Sequence, residues 1–77
     1  MFVKTENTYG GLTRRGMSLM DDLTKIIRMH AETLDDAERM AIGTVSTFPD
    51  VLVYRGGSHV AVIVGGERVL MITEAAF

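Results

Sequence analysis

From Asp50 to Thr73 the chain reads D-V-L-V-Y-R-G-G-S-H-V-A-V-I-V-G-G-E-R-V-L-M-I-T, three short apolar runs parted by Gly56-Gly57 and Gly65-Gly66. Nothing else in the sequence limits the fold as tightly. Runs rich in β-branched residues and separated by Gly-Gly signal consecutive hairpins, because tight hairpin turns need the positive φ that glycine adopts without a steric penalty. The spacing predicts strands over about 51–55, 59–64 and 68–73, joined as an antiparallel meander.

Side chains alternate across a strand, so both faces of this sheet can be written down. With Gly56-Gly57 and Gly65-Gly66 as two-residue loops, Val53 is expected opposite Val60, and Val62 opposite Val69. One face then holds Val51, Val53, Val60, Val62, Val64, Val69 and Met71. The other holds Leu52, Tyr54, His59, Ala61, Ile63, Arg68, Leu70 and Ile72. Lengthening a loop by two residues preserves this partition, whereas a change of one inverts a strand. Both faces are apolar, so each needs cover, and a chain of 77 residues has few elements to supply it. A homodimer through an apolar sheet face is the expected remedy.

Thr33–Val45 reads as a helix. Thr33 is the N-cap and Asp36 stands at the capping-box position. Asp35, Asp36 and Glu38 suit the positive end of the helix dipole. Leu34, Ala37, Ala41, Val45 and Phe48 form one stripe that should face the sheet. Gly43 either weakens the helix or lets it approach the strands closely, and Pro49 ends it.

Residues 18–31 admit two readings. A helix capped by Ser18 would place Leu19, Met20, Leu23, Ile26, Ile27 and Ala31 at helical spacing. A strand over Leu23–His30 would put Ile27 and Met29 on one face. The strand is preferred, because the chain must leave helical geometry near Glu32 before restarting at Thr33. Residues 1–17 read as a loosely structured segment with turn chemistry at Asn7, Gly10, Gly11 and Gly16. Met1–Thr5 offers an edge strand, and Met17 an internal start that would make the first sixteen residues dispensable. The expected fold is a single α+β domain over 1–77, with its core in 18–77. One main helix packs on a three- to four-stranded antiparallel sheet in β-α-β-β-β order, with room for an extra N-terminal strand.

Chemistry-bearing residues are sparse. With no cysteine there are no disulfides, thiolate nucleophiles or cysteine zinc sites, which fits a reducing cytoplasm. The apolar run Val60–Val64 is far too short to cross a bilayer, so no membrane role is expected. His30 and His59 have no shared spacing that points to a metal, and no cofactor is expected. Ser18, Ser46 and Ser58 lack a nucleophile elbow. The pairs Asp21-Asp22 and Asp35-Asp36 sit where helix capping explains them, so a non-enzymatic role is expected.

Charge is distributed unevenly. Asp21, Asp22, Glu32, Asp35, Asp36 and Glu38 oppose only Lys25 and Arg28, a local net of −4 in a chain whose formal net is −2. Such an acidic patch could dock on a basic protein groove. Lys4, Arg14, Arg15 and Arg28 are the alternative, contacts for a nucleic-acid backbone, set against an acidic total.

The capped helix T-L-D-D-A-E-R-M-A and the run Y-R-G-G-S-H-V-A-V-I-V-G-G-E-R-V-L-M-I cover about half the chain. In a short, cysteine-free, mildly acidic domain, they resemble the small phage-encoded anti-CRISPR proteins. That family shares no motif from which individual residues carry over. The resemblance implies non-enzymatic inhibition of a CRISPR effector complex in the cytoplasm. Asp35, Asp36 and Glu38 would then meet a basic nucleic-acid-binding surface.

Overall fold

The computed structural model describes residues 3–8 and 12–74. Met1 and Phe2 of the expected edge strand, and the Gly10-Gly11 turn beside Tyr9, lie outside the described residues. The element order is β1 (Val3–Asn7), α1 (Arg14–His30), α2 (Leu34–Val45), β2 (Val51–Arg55), β3 (His59–Val64) and β4 (Glu67–Glu74). The four strands form one antiparallel sheet in the order β1-β4-β3-β2. Both helices pack on a single face of it, so the fold class is α+β as expected. The observed order is β-α-α-β-β-β.

Residues 18–30 are helical, which corrects the preferred strand. The helix begins earlier than Ser18: Thr13 is its N-cap, with Oγ1 accepting from Gly16 N–H at 3.1 Å. Met20, Leu23 and Ile27 recur at helical spacing and are fully buried, whereas Met29, which the strand would have paired with Ile27, is 75% exposed. The exit from helical geometry is brief. Ala31 (φ −82°, ψ 126°) and Thr33 (φ −129°, ψ 168°) are extended, and Ala31 stays in the core. A tight helix–helix connection thus satisfies the restart at Thr33 without a strand.

The segment read as loose, 1–17, contains β1 and the first turn of α1. Pairing with β4 across Val3–Glu74 to Asn7–Leu70 organises β1, and the buried Val3 anchors it. Asn7 also donates from Nδ2 to Thr24 Oγ1 on α1 at 2.9 Å.

The helix α2 forms as expected. Thr33 Oγ1 accepts from Asp36 N–H at 3.1 Å, and Asp36 Oδ2 accepts from Glu32 N–H at 3.2 Å. Leu34, Ala37, Ala41 and Val45 are buried, and Phe48 is half-buried. Gly43 is exposed, and a Cβ there would meet nothing within 4 Å, so it permits no close approach.

The meander matches the expected strands, but its register differs twice. Between β2 and β3, Val53 pairs with Val62 and not Val60, because the reversal is made at Gly57-Ser58 while Gly56 N–H still bonds His59 O at 2.8 Å. A two-residue shift leaves the faces of these strands unchanged. Between β3 and β4 the tight turn is at Gly65 (φ +60°) and Gly66 (φ +86°), as expected. Val64 pairs with Glu67 and Ile63 with Arg68, after which Val62 pairs with Leu70. Val69 is the extra residue of a β-bulge. The one-residue slip turns Leu70 and Ile72 toward the helices and Met71 away, correcting the sequence-based faces of β4. The gain is apolar burial: Val69, Leu70 and Ile72 are each at most 2% exposed. Burying each such side chain is worth about 1.5–3 kcal/mol. The core is one cluster in which the α1 and α2 stripes meet Val3, Val60, Val62, Val69, Leu70 and Ile72.

Candidate functional site

The pleat that sends those residues to the helices sends the alternate ones to a face that, among the described residues, no helix covers. This face carries Leu52 and Tyr54 of β2, Ala61 and Ile63 of β3, and Met71 of β4. Leu52 is 63% exposed and Tyr54 54%. Ala61 is buried without a helix above it, lying between its cross-strand partners Tyr54 and Met71. His59 lies over Gly56, where a Cβ would collide with its ring, and its ring centroid is 5.7 Å from that of Tyr54. Lys4, Glu6, Arg68 and Thr73 take the same face by register and give the apolar centre a polar margin. An apolar centre with a polar rim is the usual anatomy of a protein-binding surface.

The six carboxylates expected to form an acidic patch are divided by the fold. Asp35 and Glu38 both reach Arg55 Nη1 on β2, at 2.7 and 3.3 Å. Asp36 caps α2 and pairs with Arg39. Its carboxyl is held below the ordinary value of 3.8, chiefly by the hydrogen bond from Glu32 N–H, with Arg39 and the Thr33 contact adding to it. Asp21 and Asp22 are exposed on the middle of α1, and Glu32 is exposed in the connection. Helical rise puts about 12 Å between Asp22 and the end of α1 at His30, and Glu32 lies beyond that end. The carboxylates share the helical side of the molecule without forming one cluster.

The basic set is more scattered. Lys4 is on the open face of an edge strand, Arg14 and Arg15 are in the first turn of α1, and Arg28 is in its last turn. Arg14 and Arg28 are about 21 Å apart along the helix. His30 ends α1 and His59 begins β3, on opposite layers. Among the described residues, no group of three or more His, Asp or Glu could hold a metal, and no helix is long and apolar enough to cross a membrane.

One cleft was not legible in the sequence. It lies between the start of α1 and the α2–β2 connection, where Arg15, Gly16, Leu19, Phe48, Pro49 and Val64 enclose about 160 Å³. It adjoins a further cleft of about 370 Å³ that shares Thr13, Gly16, Asp50 and Val64 and runs on to Glu67 and Val69. No family model, no curated protein and no solved structure matches the chain.

Proposed function

We propose that the protein acts non-enzymatically, by binding another protein through the uncovered face of its sheet. Within that role it is an inhibitor of the anti-CRISPR type, working in the cytoplasm by occluding a nucleic-acid-binding surface. The observation that carries the reading is the apolar centre Leu52, Tyr54, Ile63 and Met71, rimmed by charge and uncovered by any of the described residues. A net charge of −2, with exposed Asp22 and Glu32 on the helical side, supports approach to a basic partner surface, since steering acts from any side of a small domain. Asp35 and Asp36 are poor reporters of that attraction, because they are engaged within the fold.

The test is target-DNA binding by a purified CRISPR effector complex, measured with increasing amounts of the protein. Loss of DNA binding near equal stoichiometry is expected. Met71→Lys and Ile63→Lys should relieve the inhibition while leaving the thermal transition close to that of the parent. Undiminished DNA binding with the parent protein sinks the inhibitor reading. Salt-sensitive binding of DNA by the protein alone would favour the alternative use of Lys4, Arg14, Arg15 and Arg28.

A further inference from the structure

We infer that β2 is a self-pairing edge, along which two copies of this chain join antiparallel and merge their sheets into one. The two ends of the sheet differ in a way that selects it. The strand β1 carries Lys4 and Glu6, charges of the kind that keep edge strands apart. By contrast β2 reads V-L-V-Y-R, and its only charge, Arg55, is drawn onto α2 by Asp35 and Glu38. Residues 51–54 therefore present an edge with no charged side chain.

The hydrogen-bond phase of β2 defines how a copy would pair. Gly56 N–H donates to His59 O at 2.8 Å and Gly65 N–H to Asp50 O at 3.2 Å, bracketing the β2–β3 ladder. Bonded and non-bonded pairs alternate along an antiparallel ladder. Leu52 and Tyr54 therefore turn their backbone groups to β3, and Val51, Val53 and Arg55 turn theirs outward. Of these, Val51 N–H is already bonded to Phe48 O at 3.2 Å. A two-fold axis through Val53 sets it against Val53 of the second copy, where the two residues exchange both hydrogen bonds. On each side Arg55 N–H then donates to Val51 C=O.

The same axis puts Leu52 opposite Tyr54 of the second copy, in a non-hydrogen-bonded pair, where side chains approach most closely. The two large hydrophobics of the sheet that are most exposed thus find each other twice. The contact is closed, since each copy offers the same strand. Pairing β2 with β1 of a neighbour would instead propagate without end and set Leu52 and Tyr54 beside Lys4 and Glu6. Stacking two open faces would enclose Lys4, Glu6 and Arg68 with the apolar centre, whereas edge pairing leaves those charges in water. The inference is independent of the inhibitory reading, and the open face remains available in the dimer.

Sedimentation equilibrium across the micromolar range tests it. The parent chain should be dimeric, and Val53→Pro monomeric with an unchanged far-ultraviolet spectrum. Proline there removes an outward N–H and no β2–β3 hydrogen bond. A cross-linking arm covers the case in which that variant fails to fold. The chain has no cysteine, so Leu52→Cys and Tyr54→Cys can be oxidised with glutathione disulfide separately and mixed. The mixture should yield a covalent dimer containing one of each. Either variant alone should not, because like residues lie about 8 Å apart across the axis, beyond disulfide reach. A monomeric parent chain, a folded Val53→Pro that still dimerises, or cross-linking by the single variants overturns the assignment.

Discussion

Val60 and Ala61 are neighbours in β3, both buried, and for opposite reasons. Val60 points into the helical layer, against residues from α1, α2 and the adjoining strands. Ala61 points the other way, between its cross-strand partners Tyr54 and Met71. The first kind of burial is made by the fold as a whole, and the second by side chains that are themselves in water. Stability and recognition are thus assigned to opposite surfaces of the same strands. The open face can change its chemistry with little effect on folding, and the covered face cannot.

That contrast should break first at β1. A chain started at Met17 loses Val3 from the core and exposes the edge of β4, and we expect circular dichroism to show it unfolded at room temperature. Within the intact chain, Ile72→Ala or Ile27→Ala should destabilise by about 2–5 kcal/mol in urea melts. Leu52→Ala on the open face, melted at a concentration low enough for the chain to be monomeric, should stay within about 0.5 kcal/mol. A Leu52→Ala loss comparable to that of Ile72→Ala would erase the distinction between the faces.

Smaller effects sharpen the comparison on the helical side. Thr33→Ala should cost about 0.5–2 kcal/mol through the lost cap of α2. Asp36 adds a pH signature. Its carboxyl is depressed in the folded state, so its contribution is complete above 3.8 and is lost as pH falls further, through the folded value. Asp36→Asn should flatten that part of the acid-denaturation profile. Gly43→Ala should stabilise by about 0.4–1 kcal/mol, since the position is helical and exposed, with open space for a methyl group.

The meander and α2 were legible because glycine pairs, a threonine cap and a proline stop are local signals. The first helix was not, since its cap Thr13 sits among Gly10, Gly11 and Gly16, residues that speak for turns. Over Leu23–His30, alternation and helical spacing also fit the same letters. Only a sheet for Met20, Leu23 and Ile27 to pack against decides between them. The bulge at Val69 was invisible for a similar reason: no residue in E-R-V-L-M-I marks it, and it exists because the helical layer accepts Leu70 and Ile72. Of the candidate surface, Leu52, Tyr54 and Ile63 were placed together correctly. The fate of Asp35 and Glu38 was hidden by their distance in sequence from Arg55, twenty and seventeen residues away.

The bulge also marks where this hairpin can absorb a change in length. Removing Val69 would draw Leu70 opposite Val62 in an unbroken ladder, so every later pair keeps its partner and the molecule forfeits one valine. Removing Met71 instead keeps Ile72 opposite Val60 only if the bulge closes, which turns Leu70 out of the core. A one-codon deletion at position 69 therefore costs a valine, and the same deletion two codons downstream costs a buried leucine.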